Sequence, residues 1–262
     1  MNNNVKREII ECIGEDKEYK DLFEGEMASV YELFISEMRD NWIESQLSAV
    51  RPLMDDDKKI LEIGCGTGHL ISYLEREFDS EFTGLDASKN MIERAQENVS
   101  DDVNLVHDNF SSFDASQEYD IVIMLGNLVN HKPFSSFENN LEKINSMMSE
   151  DSFFVYDFVN QTNWSEERPI NIIEGESDGI RIVRADFSRK PRGEKQRDSH
   201  YKAHVTYKIS HGEDSKEVSF EYDFFPQLIS NHRFAIEDDY HMNFDEDEYR
   251  DGTSIIVASK NH

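Results

Sequence analysis

The residues best suited to chemistry fall close together at 62–68, where Glu62 precedes Gly64, Cys65, Gly66 and Gly68 in the order E-I-G-C-G-T-G. A short apolar run, Ile60-Leu61, leads into them. Glycine lets the backbone approach a ligand with no Cβ in the way, and a helix starting after the turn offers unpaired N–H groups. An apolar strand that breaks into such a turn and then a helix suits a nucleoside cofactor. The spacing is not the G-x-G-x-x-G of dinucleotide folds. A carboxylate two residues before the first glycine is badly placed to face a pyrophosphate, but it suits a sulfonium or an α-ammonium.

Three further groups follow, each after an expected strand. Asp86 lies in GLDAS, with Ala87 beside it and Met91 one helical turn on. HDNF supplies Asp108, Asn109 and Phe110, and LGNLVNHKPF supplies Leu125, Gly126, Asn127 and His131. Ligands of open α/β sheets bind outside the carboxyl ends of the strands, and an acid at the end of the second strand can accept both ribose hydroxyls. A buried Asn amide can donate and accept.

The E-x-G-x-G-x-G run resembles motif I of the class I S-adenosylmethionine (SAM) methyltransferases. The LGN-x-x-x-H stretch is similar to that of glycine and sarcosine N-methyltransferases and neighbouring small-amine enzymes. The resemblance implies SAM as cofactor, held by Glu62, Gly64, Cys65 and Gly66, with Asp86 on the ribose and Ala87 and Met91 flanking the adenine. It implies that Asp108 accepts from the adenine amino group and that the Asn109 backbone meets a ring nitrogen, with Phe110 adjacent. Leu125 and Gly126 then lie between the methionyl part and the acceptor, and Asn127 and His131 are the candidate catalytic residues. For His131 a satisfied or capping role stays open beside the catalytic one. Tyr19, in EYKDLFE, and Arg39 match loosely the cap residues that contact the methionyl part in such enzymes.

The elements that must position these groups can be read from periodicity. Apolar residues at helical spacing predict a helical cap over 1–57, closed by Pro52 and the Asp55-Asp56-Asp57 run. From 58 to 160 strand and helix alternate: strands near 59–63, Glu81–Leu85, Val103–His107, Tyr119–Leu125 and Ser152–Phe158, with helices His69–Phe78, Ser88–Asn98 and Phe134–Met148. That order implies a doubly wound parallel sheet. Over 161–230, β-type alternation in Arg181–Phe187, His200–Ser210 and Lys216–Phe225 predicts three antiparallel strands forming an inserted lid. Residues 231–262 should close the sheet with a hairpin of Phe234–Tyr240 and Thr253–Ser259, joined by the acidic loop FDEDEYRDG. The expected fold class is therefore α/β, a Rossmann-like seven-stranded methyltransferase sheet with an N-terminal helical cap and an antiparallel β lid.

Composition excludes several classes. Fifty-five acidic against 27 basic residues give a net charge of −28, which repels phosphate backbones and argues against nucleic-acid substrates. The acidity fits an ordinary cytosolic protein or adaptation to a salty cytoplasm. No apolar run approaches a membrane span and no signal peptide opens the chain, so neither membrane nor secretion is expected. Cys12 and Cys65 make no disulfide framework, which suits a reducing cytoplasm. No serine elbow, Walker motif, H-E-x-x-H or C-x-x-C is present, and no metal site is expected. Oligomeric state cannot be read.

The expected activity is transfer of a methyl group from SAM to a small-molecule acceptor, first of all an amine such as glycine, sarcosine or dimethylglycine, as in betaine osmolyte synthesis. The alternatives are a sugar amine or other metabolite, or SAM binding without turnover. Arg168, Arg181, Arg184, Tyr201 and Tyr207 are the lid's polar candidates for the acceptor.

Overall fold

The computed structural model describes residues 3–38, 40–131, 137–159, 171–189, 200–226, 232, 236, 243–249 and 253–260. Five strands, β1 (Lys59–Ile63), β2 (Glu81–Asp86), β3 (Asn104–His107), β4 (Tyr119–Met124) and β5 (Met148–Val159), pair in parallel. The remaining strands of this seven-stranded sheet are β10 (Asn243–Tyr249) and β11 (Thr253–Lys260), in the order β10-β11-β5-β4-β1-β2-β3. Strand β11 runs antiparallel to both neighbours.

Alternation along β4 builds a core on each face. Val122 and Met124 join Leu61, Tyr156 and Phe158 under helix α6 (Phe137–Met147). Ile121 and Ile123 join Leu70, Ile71 and Ile92 of α4 (His69–Leu74) and α5 (Lys89–Asn98). The strand is apolar throughout because both of its faces are covered. Ser88 caps α5, its side chain accepting from the Met91 N–H. The order reverses between β1 and β4, and the crevice at such a switch point is where ligands of these sheets bind.

A second layer joins the two ends of the sequence. Strands β6 (Asn171–Ser177), β7 (Ile180–Arg189), β8 (Tyr201–His211) and β9 (Asp214–Phe224) form an antiparallel sheet in the order β6-β7-β8-β9. Ile180, Ile182, Val205, Tyr207 and Ile209 of this sheet share one buried cluster with Val5 and Ile9 of α1 (Asn3–Gly14) and Val30 and Phe34 of α2 (Met27–Met38). Helix α3 (Asp40–Val50) links that layer to the main sheet. The cap bonds to α5 through Arg94 to Glu8, Asn98 to Glu32 and the Gly25 N–H to Asn90.

Three expectations are corrected. The lid has four strands, not three: β6, NIIEGES, has adjacent isoleucines rather than alternation, because as an edge strand it leaves Ile172 63% exposed. The closing hairpin is Asn243–Tyr249 with Thr253–Lys260, so the acidic run expected as a loop is itself the edge strand. Carboxylates weaken local β-propensity, yet charge on an edge strand discourages unwanted pairing. Of the expected strand Phe234–Tyr240, only Ile236 is among the described residues, and it is helical. Helix α4 also ends at Leu74, four residues before the expected Phe78.

Candidate functional site

The turn after β1 is left-handed at three glycines, and two of them decide the site. Gly64, at φ 72°, lies under the β4 loop, and a Cβ there would sit 2.3 Å from Leu128 Cδ1. Gly66, at φ 56°, has open space within 4 Å of the corresponding position. The first glycine packs against the loop, and the second leaves room for a ligand. Asp86 braces the turn: its Oδ2 accepts from the Gly66 N–H at 2.9 Å and its Oδ1 from the Ser88 N–H at 2.8 Å.

Glu62 points into this crevice from β1. It is 6% exposed, and among the described residues its Oε2 has no hydrogen-bond partner. Burial and then the nearby Asp86 push its carboxyl well above the usual carboxylate range. A buried acid beside a second acid favours a cation, and a sulfonium or α-ammonium supplies one. An orphaned carboxylate oxygen and a space that a Cβ would fill therefore fit SAM.

Beside it, the β4 end turns left-handed at Gly126, φ 90°, and Asn127, φ 61°. The Asn127 N–H donates to Asp157 Oδ1 at 2.6 Å, and the Gly126 N–H also favours that carboxylate. Asp157 is 1% exposed, and burial pushes its carboxyl up to about 7. Its Oδ2 and the Asn127 Oδ1 are buried without partners among the described residues. His131 packs against Tyr222 and Phe224 of the lid at 5.0 and 5.2 Å between ring centroids. Burial lowers its imidazole to about 4.

Residues 60–151, which hold the turn and the β4 loop, match the methyltransferase domain family. Over these residues the chain is similar to methyltransferase domains. The fold extends the likeness beyond that segment. DesVI of Streptomyces venezuelae superposes with a TM-score of 0.74 at 16% identity, covering 90% of this chain and 98% of that one. CalS10 of Micromonospora echinaspora, an amino pentose methyltransferase solved with SAM bound, superposes with a TM-score of 0.72 at 14% identity, covering 94% and 100%. In sequence, an (S)-tetrahydroprotoberberine N-methyltransferase of Eschscholzia californica is 26% identical over 46% of this chain and 35% of its own length. A malonyl-[acyl-carrier protein] O-methyltransferase of Priestia megaterium is 39% identical over 24% of each. The chain thus matches about a third or less of these curated relatives' lengths.

Within the matched segment the structure gathers Glu62, Gly64, Cys65, Gly66 and Asp86 around one turn, with Leu125, Gly126 and Asn127 beside them. Cys65 is buried, and burial pushes its thiol up. Asp108 lies beyond β3, its N–H donating to the Asp86 carbonyl and its Oδ1 accepting from the Asn109 N–H and the Ser112 hydroxyl. Ala87 is exposed, while Met91 and Phe110 are buried. Tyr19 lies in the cap cluster. Its hydroxyl donates to Glu26 at 2.8 Å, and the Lys17 and Lys216 ammoniums each lie 5.0 Å from its ring centroid. Arg39 and Arg168 lie outside the described residues.

Three residues escaped sequence reasoning. Asp157 was legible as a lone charge within the apolar run FVYDFV, a placement that demands a partner. Trp42 reads as core from its spacing, yet its ring is the nearest group to the Cβ position at Gly126, 3.8 Å away. Asn130 is fully buried and accepts from the Val159 N–H while donating to the Val159 and Phe225 carbonyls. It thereby joins the β4 loop, the end of β5 and the exit from β9.

Proposed function

We propose that this chain methylates the nitrogen of a small amine, using SAM. Bound SAM supplies a methyl group already activated on a sulfonium. What the chain must add is orientation and exclusion of water, worth on the order of 7–11 kcal/mol at best. Glu62 favours the cationic donor, Asp86 and Gly66 seat it, and the Gly126–Asn127 turn faces the acceptor side.

One observation carries the choice of an amine: the imidazole beside the acceptor side, His131, is pushed by burial to about 4 and is neutral at pH 7. With its conjugate acid near 4 it is too weak a base to draw a proton from the acceptor, and an amine that reaches the site already neutral needs no base. Deprotonating a hydroxyl acceptor calls for a stronger base. The relatives named as N-methyltransferases agree with this reading. KedS8, a sugar N-methyltransferase of Streptoalloteichus, shares the fold with a TM-score of 0.70 at 15% identity, so aminosugars stand beside glycine, sarcosine and dimethylglycine as acceptors to try.

The test is incubation of the full chain with radiolabelled SAM and a panel of these amines, with matched alcohols and carboxylic acids alongside. A methylated amine is the expected product. Transfer to the alcohols or acids alone, or to none of the panel, overturns the reading.

A further inference from the structure

The layer between α2 and the four-stranded sheet holds a cation with too few partners. Arg184 of β7 has a side chain only 16% exposed, against 55% for Arg181, which pairs with Glu174 on the lid's outer side. The Arg184 guanidinium lies over the Phe34 ring at 5.3 Å and the Tyr207 ring at 5.7 Å. Among the described residues the single carboxylate within ion-pair distance is Asp186, 3.2 Å from Nε, and it stands out of line for a hydrogen bond.

A guanidinium has five N–H donors in a planar fork, and burying it without acceptors is costly. Tyr207 sits in the same place with the opposite deficit: its hydroxyl is buried and also has no partner among the described residues. Tyr31 and Tyr222 are further neighbours of this arginine. Tyr222 in turn packs on His131 at 5.0 Å, which puts the group one ring away from the β4 loop. Donors without acceptors, lined by aromatic rings and next to the acceptor side, match a planar oxyanion.

We propose that Arg184 and the Tyr207 hydroxyl form an oxyanion subsite, so that the amine this enzyme methylates also carries a carboxylate or a phosphate. The proposal rests on the amine reading above and narrows it. Asp186, near Nε, balances part of the charge and leaves the rest of the fork to bind. An amine lacking an anion would leave the buried fork unsatisfied and be rejected.

The experiment is calorimetry on the full chain saturated with S-adenosylhomocysteine, titrated with acetate, inorganic phosphate and methylammonium. Acetate or phosphate should bind saturably. Stronger acetate binding assigns an amino acid, and stronger phosphate binding assigns a phosphorylated or nucleotide-linked amine. Arg184→Gln should weaken the preferred anion by about tenfold or more, and Tyr207→Phe by about threefold to tenfold. Arg181→Gln should leave it unchanged. No anion binding by the wild type, or equal binding by wild type and Arg184→Gln, overturns the subsite. If circular dichroism shows Arg184→Gln unfolded, the decision passes to Tyr207→Phe, and unchanged affinity there overturns it. In parallel, methyl transfer to amines without an anionic group at the same kcat/KM overturns the subsite but leaves N-methylation standing. Anion binding with no methylated amine does the reverse.

Discussion

The Asn127 N–H and the Asp157 carboxylate meet at 2.6 Å, and this contact holds the end of β4 in a left-handed turn that a non-glycine residue rarely adopts. Asp157 comes from the neighbouring strand β5, so this turn is set by a residue thirty positions away.

This pairing predicts a pH dependence. The Asp157 carboxyl is raised to about 7 by burial. A raised acid binds a proton in the folded state that it has lost in the unfolded state, so stability falls as pH rises from the ordinary carboxylate range through about 7. Asp157→Asn should remove that slope and raise Tm at pH 8 relative to wild type, while kcat falls because the turn loses its charged acceptor. Thermal melts and initial rates at pH 5.5 and pH 8 check both. Parallel melting curves for the two proteins would be the contrary result.

Glu62→Gln separates cofactor binding from folding. The buried carboxyl is raised well above its ordinary range, so its ionised form is a burden to the empty protein at high pH. The amide should stabilise the unliganded chain at pH 8 and weaken SAM by about tenfold, since a charge-assisted contact is lost. Calorimetry and melting curves, read together, give the two opposite signs.

The two glycines should fail in different ways. Gly66→Val fills open space at a positive φ and should abolish SAM binding while the chain still folds. Gly64→Ala places a methyl 2.3 Å from Leu128 Cδ1, also at positive φ, and should cost about 1–3 kcal/mol of stability. Denaturant midpoints and SAM affinity distinguish them.

Asn130→Ala should leave the Val159 N–H and the Phe225 carbonyl without their side-chain partner. Unsatisfied buried groups cost about 1–3 kcal/mol each, so a loss of about 2–4 kcal/mol is expected. The acceptor KM should rise more than SAM affinity falls, because Asn130 ties the lid to the β4 loop. Equal effects on the two ligands would count against that assignment.

His131 and His232 should both titrate far below an ordinary histidine, near 4 and near 3, because both are buried. His232 stacks on Phe137 and Phe158 and meets the Tyr156 hydroxyl at 3.2 Å. The unfolded chain binds these protons first, so stability is lost as pH falls below about 6.5. Imidazole proton resonances followed between pH 7 and pH 4 give the midpoints directly, and a midpoint above 6 for either would contradict the packing.

The sheet was legible because its signals are local. A five-residue apolar strand, a left-handed glycine turn and a serine-capped helix each need only neighbours in sequence to form, and Glu62, Gly64, Gly66 and Asp86 came out together on that basis. Edge strands were harder. β6 and β10 are stabilised by pairing to β7 and β11, and neither has the alternation that burial on one face imposes. Tyr19 shows what local sequence leaves out: Cys12, Glu26 and Lys216, from three separate segments, surround it in the cap.

The sequence by itself determined the donor side, since a strand–turn–helix with a preceding acid carries its own geometry in consecutive residues. The acceptor side was decided by tertiary structure. Asp157, Arg184 and Tyr207 lie on different strands and Asn130 on the β4 loop, and each presents a buried polar atom to another element. Which polar atoms end up desolvated and short of partners depends on how α1 and α2 pack against a sheet formed some 150 residues later, and no local pattern encodes that.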